Sequence, residues 1–348
     1  MKLWLKEVAR GKKGAKDLTY ELALEAAKDF ISGDATDAQI GAFLVAQRLK
    51  QESIDEVLAF VKSYREVAQL IPNKIGEQKQ FIDLAGPYSG RNTFAVTIPA
   101  ALLFAERGIP VYLHSSDSLP PRYGSSLMSI LGELGVSTEI SNEDIGKSIE
   151  TIQIGFAWTE KLCPPLANLR HIREEIGVRS FFNVMEKVLN LANANHLMIG
   201  VFHKTVVELH AALIRNMGYE KGFIVQGAEG SEDLPIHRRS FIYEVTKDNM
   251  ESFLIDPNEY GLKLSKDEEK ENLSLQKQAN VIRRLLEGEE SDDLQYHRNQ
   301  LLFNVGVRYF LFGIEKSIDD GIKVADMQLK QQRGAIHLEK WITLKKEN

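Results

Sequence analysis

Apolar residues in the first seventy positions recur at helical spacing, and each run opens on a start signal. Thr36 and Gln39 have capping-box spacing ahead of Ile40, Phe43, Leu44 and Leu49, so a helix is predicted to begin at Ala35 or Thr36. Ser53 and Glu56 repeat the device before Val57, Phe60 and Val61, which leaves LKQE as a tight helix–helix connection. Gly33 stops the preceding helix, the one that carries Leu22, Leu24, Ala27 and Ile31. The pattern predicts a small helical domain over residues 1–72, with a polar break at Ile71-Pro72-Asn73-Lys74.

From residue 75 to 348 the texture changes. Short apolar runs, FIDLAG at 81–86, VYLH at 111–114, LMIGVF at 197–202, GFIVQG at 222–227 and FIYEV at 241–245, alternate with helix-length segments. Such alternation predicts an α/β domain with a buried, mostly parallel sheet. Ligands on these sheets bind at the carboxyl ends of strands, which points to Gly86–Thr97, His114–Ser126 and Gln226–Asp233. The charged stretch from Lys263 to Arg298, with its EGEESDD, reads as a surface helix and an acidic loop.

Composition adds bounds. A chain of 348 residues with 43% hydrophobic content supports two domains, since single cores stop growing at roughly 250–300 residues. Its net charge of −6 argues against a surface that coats nucleic acid throughout. The charge is uneven: Lys2, Lys6, Arg10, Lys12, Lys13 and Lys16 face Glu7 alone, which reads as a solvated arm with a polyanion-binding option. The lone Cys163 excludes an intrachain disulfide and reads as a core filler. No apolar run approaches ~18 residues, and the start lacks a signal-peptide core, so the expectation is a cytoplasmic protein without a membrane partner.

The segment GDATDAQIGAFLVAQRLK at 33–50 resembles the N-terminal signature of the anthranilate phosphoribosyltransferase family, part of glycosyltransferase family 3. IGFAWTEKLCPPLANLRHIREEIGVRSFFN at 154–183 is similar to the family's stretch ending in RTIFN, and LLFNVG at 301–306 to its late Asn-containing helix. QGAEGSED at 226–233 stands in place of HGxDGxDE. The resemblance implies a helical domain, joined by helices from about 165–190, packed on a larger α/β domain with the site in the cleft between them. It also implies a homodimer through the helical domain and Mg²⁺-dependent transfer of 5-phosphoribosyl from phosphoribosyl pyrophosphate to an aromatic or nitrogen acceptor.

Carried over motif by motif, the family's GTGGDG and TFNIST become AGPYSGRNTFAVTI at 85–98, one residue shorter. Ser89, Gly90, Arg91, Thr93 and Thr97 are the implied phosphate and ribose contacts. Pro87 lacks an NH and Tyr88 adds bulk where glycine permits close approach. KHGN and its serine pair become His114, Ser115 and Ser116 with a longer loop to Ser126, on which Arg122 is a further phosphate candidate. Arg173 stands at the position of the acceptor-contacting arginine, suited to a carboxylate by its planar fork. Glu232 and Asp233, with Glu229 nearby, stand for the Mg²⁺-binding acids. Without the family, GPYSG is an ordinary strand-to-helix turn and His114 a satisfied structural group. Arg173 is then part of an exposed helix face, and the acids a surface loop.

A branch of the family described as nucleic-acid-binding has a YNGAR-like turn and an EGE followed by an arginine pair. PYSGR at 87–91 and EGSEDLPIHRR at 229–239 are similar. The alternative they imply is a catalytically silent protein that binds nucleic acid or another polyanion through the lysine-rich start and Arg91, Arg122, Arg238 and Arg239.

Overall fold

A computed structural model describes residues 1–11, 13–75, 79–265 and 272–344. Both capping boxes form. Thr36 Oγ1 accepts from the Gln39 amide and Gln39 Oε1 from the Thr36 amide, starting the helix Asp37–Lys50. Ser53 and Glu56 start Ile54–Val67 in the same way. Gly33, at φ 80°, ends Tyr20–Ser32 in the left-handed conformation that glycine adopts without strain. The lysine-rich start is a correction to the solvated arm. Lys2–Val8 is a helix that buries Val8, while Trp4 Nε1 donates to Asp29 at 3.2 Å. Lys12 lies outside the described residues.

The helical core is aromatic. Phe60 meets Phe30 edge-on at 5.3 Å and Phe181 at 4.9 Å, and Phe30 stacks with Phe182 at 6.2 Å, so the segment near 180 packs into the N-terminal helices.

Seven strands form one sheet: β1 Ile82–Ala85, β2 Val111–Ser115, β3 Ile154–Trp158, β4 His196–Gly200, β5 Lys221–Val225, β6 Ser240–Thr246 and β7 Met250–Ile255. Their order is β3-β2-β1-β4-β5-β6-β7, parallel from β3 to β5 and antiparallel beyond. The apolar runs located five of these. β3 and β7 were not foreseen, because IGFAW lies inside a longer motif and MESFLI exposes Glu251, Ser252 and Leu254 and buries only Ile255. Alternation along the strands divides the core. Ile82, Leu84, Val111 and Leu113 face the layer that carries the C-terminal helices, whereas Tyr112, Leu197 and Ile199 join the aromatic layer. The charged stretch after Lys263 is only partly surface. Residues 266–271 lie outside the described ones, but the helix Leu275–Leu286 buries Val281, Ile282, Leu285 and Leu286.

One carboxylate organises the junction of the N-terminal helices. Glu56 accepts from the Leu18 amide at 2.9 Å, Gln47 Nε2 at 2.9 Å, Lys50 Nζ at 2.7 Å and the Ser53 amide at 2.8 Å. Replacing Glu56 by alanine strands these buried donors and should cost about 2–4 kcal/mol in urea unfolding. A loss below about 0.5 kcal/mol would show that the junction does not depend on this carboxylate.

Candidate ligand-binding site

The chain runs β1 to β2 to β3 on one side of the sheet and then crosses to β4, so the strand order reverses between β1 and β4. Connections leave the two strands on opposite faces there and open a crevice at their carboxyl ends. The structure has a cleft of ≈ 170 Å³ at this point, lined by Tyr88 and Ser89 after β1, Phe202 and His203 after β4, and Arg48 from the helical layer.

The turn after β1 is closed on itself. The Gly90 amide donates to Pro87 O at 2.9 Å, and Arg91 and Ser125 exchange amide hydrogen bonds of 2.9 Å each. Gly90 sits at φ 71°, and a Cβ there would collide with the Gly124 carbonyl, so the position requires glycine. The next two amides, of Asn92 and Thr93, donate to Glu229 Oε2 at 2.9 Å each, joined by Thr93 Oγ1 at 2.8 Å. Burial works against the Glu229 charge, but the Thr93 amide, Arg91 and Arg122 hold its carboxyl below the usual range. An internal carboxylate thus occupies donors that the phosphate expectation assigned to a ligand.

The acid pair is also committed. Asp233 is 0% exposed and pairs with Arg91 through Oδ2 and with Arg308 Nη2 through Oδ1 at 2.5 Å. Thr97, the first residue of a helix, offers its amide to the same carboxylate at 3.3 Å. Glu232, also 0% exposed, accepts from Thr97 Oγ1. Burial and the adjacent Asp233 raise its pKa, while Arg91 and Arg308 hold that of Asp233 down against burial. Mg²⁺ takes oxygen ligands and keeps several waters, whereas both Asp233 oxygens are taken by Arg91 and Arg308 and Glu232 Oε1 by Thr97. Among the described residues no cluster of three or more His, Cys, Asp or Glu is placed to hold a metal. The Mg²⁺ expectation for Glu232 and Asp233 therefore does not fit, nor does the expectation that Arg91 faces a phosphate: its guanidinium is spent on Asp233. The surface-loop alternative is corrected as well, because the acids are interior.

The remaining expected contacts are dispersed. His114 is a satisfied structural group, with Nε2 2.9 Å from Asp83 and Nδ1 2.5 Å from the Tyr88 hydroxyl, which also meets Thr159 Oγ1 at 2.6 Å. Ser115 Oγ accepts from the Met128 amide, and Ser116 is buried beside it. Arg173 is buried and bidentate on Glu186, at 2.6 and 2.9 Å. That corrects both the exposed-face reading and the acceptor contact, since an internal carboxylate already fills its fork. Burial pushes the Cys163 thiol up to about 12, in keeping with a core filler.

Of the expected contacts Ser89 lines the cleft, while the cations that line it, Lys187, Arg179 and Arg48, were missed. Among the described residues Lys187, 7% exposed, donates only to the Gly200 carbonyl at 2.9 Å and the Gly230 carbonyl at 3.3 Å. Arg179 and Arg122 lie over the Phe202 ring at 5.3 and 5.4 Å, and Arg48 bonds the Arg179 carbonyl at 2.6 Å. The strand-end rule that selected three other loops applies equally to Val201–His203. For Lys187 the signal was the charged pair Glu186-Lys187 inside the apolar run FFNVMEKVLNLA.

A crevice lined by Arg48, Arg179 and Lys187, with Glu52, at the switch point of a parallel sheet and beside a helical bundle defines a two-domain α/β protein. The model described as the a/b domain of the glycosyl transferase family matches residues 79–334, and that of its helical bundle domain matches 3–68. The chain belongs to this family, in its anthranilate phosphoribosyltransferase group. It is similar to the anthranilate phosphoribosyltransferase of Persephonella marina, 28% identical over 337 residues and 97% of each chain. That of Methanocorpusculum labreanum is 30% identical over 330 residues and 94% of each. Among solved structures, the Thermus thermophilus enzyme superposes with a TM-score of 0.81 at 26% identity over 98% of both chains. The Saccharomyces cerevisiae enzyme in complex with PRPP and Mg, at 17% identity, gives 0.84 over 99% and 98%, a likeness of fold alone.

Burial first, and Arg179 second, lower Lys187 from the ordinary 10.5 to about 8. The unfolded chain holds this proton more tightly, so the charged lysine costs stability below about pH 8, and the cost fades as pH rises toward 10.5. Lys187→Met should be more stable than the parent at about pH 7, by on the order of 1–3 kcal/mol, with the gap narrowing above pH 8. Urea unfolding at two pH values measures this, and a less stable methionine variant at neutral pH would contradict it.

Proposed function

We propose that the chain binds a phosphorylated ribose ligand, phosphoribosyl pyrophosphate in the first instance, in the cleft between its two layers. Pentosyl transfer is the activity that membership of the family supports. The single observation that carries the proposal is Lys187, a buried cation at the strand crossover whose hydrogen bonds go only to carbonyls. With Arg179 and Arg48 it supplies positive charge for a leaving pyrophosphate, and the low-dielectric walls strengthen each contact. Ser89 and Asn183 line the same cleft. Because Glu186 fills the fork of Arg173, the acceptor in this reading lacks a carboxylate.

A second reading, a silent member that binds nucleic acid, is favoured by one observation: Glu229 already occupies two backbone donors of the turn. Its proposed arginines weigh against it. Arg91 is buried on Asp233, Arg238 lies on the carbonyls of Gln226 and Gly227, and Arg239 pairs with Asp256 at 2.8 Å.

Calorimetric titration with phosphoribosyl pyrophosphate should give a Kd on the order of 10–100 µM, weakened about tenfold or more in Lys187→Met and weakening as pH passes above about 8. No heat at millimolar ligand, together with salt-sensitive retention of a single-stranded oligonucleotide, would replace this reading with the second.

The homodimer belongs to the same proposal. Its support is an apolar groove on the helical layer lined by Val8, Ala42, Val45 and Leu49, with Leu49 78% and Leu3 68% exposed. Light scattering after gel filtration should give twice the chain mass, and Leu49→Glu should give the monomer. A parent that is monomeric at micromolar concentration would refute it.

A further inference from the structure

The acid pair Glu232–Asp233 carries unspent hydrogen-bonding capacity, and its sign is informative. Among the buried side-chain atoms without a partner are Arg91 Nε and both Nε and Nη1 of Arg308, against one carboxylate oxygen, Glu232 Oε2. Both guanidiniums are nearly or wholly buried, at 1% and 0% exposure. Each is a donor without acceptor capacity. A cluster awaiting a divalent cation would show the reverse, an excess of carboxylate oxygens without donors. Here the two acids already have two positive charges, the charge of one Mg²⁺, delivered by residues 91 and 308.

We propose that Arg91 and Arg308 take the place of a divalent metal at this site, so that an anion in the adjoining cleft is bound without metal. The cluster adjoins the cleft: Ser89 and Gly230 line it, and Arg91 and Ser231 follow them in the chain. Gly200 at the end of β4 has no space for a Cβ because the Ser231 carbonyl lies against it, so strand end, acid loop and cleft wall are in direct contact. Arg91 is fixed from three sides, by Asp233, by the Phe94 carbonyl at 2.6 Å and by the Arg91–Ser125 bridge. Arg308 is fixed by the long helix Gln295–Leu311, whose Asn304 exchanges hydrogen bonds of 2.7 and 2.8 Å with the Leu234 backbone beside the acids. Fixed guanidiniums neutralise charge without the octahedral shell and the dehydration that Mg²⁺ needs.

The ligand arm of the test rests on the phosphate-binding reading above; the metal arm does not. Inorganic pyrophosphate is titrated by calorimetry in EDTA and again in Mg²⁺. The expected result is binding in EDTA that Mg²⁺ leaves unchanged or weakens, and a tightening of about tenfold or more by Mg²⁺ overturns the proposal. Independently, Mn²⁺ is titrated into the protein and followed by electron paramagnetic resonance. The free-ion signal should persist, whereas one-to-one capture that disappears in Glu232→Gln overturns it. Removing one guanidinium gives the positive control. Arg91→Met should melt lower than the parent and regain several degrees with millimolar Mg²⁺, with the parent unmoved, and a variant that Mg²⁺ fails to stabilise more than the parent also counts against the substitution. Absence of pyrophosphate binding alone would end the phosphate reading and leave the Mn²⁺ and melting results to judge the metal replacement.

Discussion

Asp233 is gripped by two guanidiniums in the interior, and the rest of the site depends on that grip. The carboxylate comes from the loop after β5, Arg91 from the turn after β1 and Arg308 from the late helix, at sequence separations of 142 and 75. A buried charge left without its partner costs about 3–5 kcal/mol, so none of the three segments moves independently. Thr97 adds its amide and hydroxyl to the acids, which fixes the start of the helix Thr97–Glu106 against the same loop. Gln278 completes the frame, donating to the Thr93 carbonyl at 2.8 Å and accepting from the Ala95 amide at 3.0 Å. Turn, acid loop and two C-terminal helices thereby form one unit.

At three places where the family resemblance implied a ligand, the chain's own carboxylates stand instead. Glu229 is on the turn amides, Asp233 on Arg91, and Glu186 on Arg173. An attached carboxylate competes at an effective concentration of millimolar or more, before any advantage from preorganisation. A free anion has to displace it and leave a buried acid unpaired. The cations that these carboxylates leave without a direct acid partner among the described residues lie at the crossover of β1 and β4, where Lys187 meets only carbonyls.

The fold was largely legible because its signals are local. A capping box spans four residues and a buried strand about five, so Thr36, Ser53 and the apolar runs of β1, β2, β4, β5 and β6 were visible without tertiary information. β7 was not, since an edge strand that buries only Ile255 and carries Glu251 and Ser252 side by side has too little apolar patterning to stand out. The site was legible as a set of positions and not as a set of partners. Arg91, Arg173 and Asp233 were each singled out for an external ligand, yet no pattern in the sequence says that residue 91 meets residue 233. The pairing of 173 with 186 spans only thirteen positions, but the turn that permits it runs through Gly177, at φ 61°, and a short helix at Phe182–Met185.

The same accounting separates structural cations from functional ones. Arg91, Arg173 and Arg308 are buried and large, and each has an acid whose own burial it makes tolerable, so packing alone explains their presence. Lys187 has no such explanation. Among the described residues no carboxylate pairs with it: burial and then Arg179 erode its charge, Glu232 supports it without contact, and Arg122 opposes it. A methionine of similar length would fill the same space at lower free energy. A residue that burdens the fold at neutral pH, at the crevice that strand order creates, is what the proposed anion in that crevice would account for.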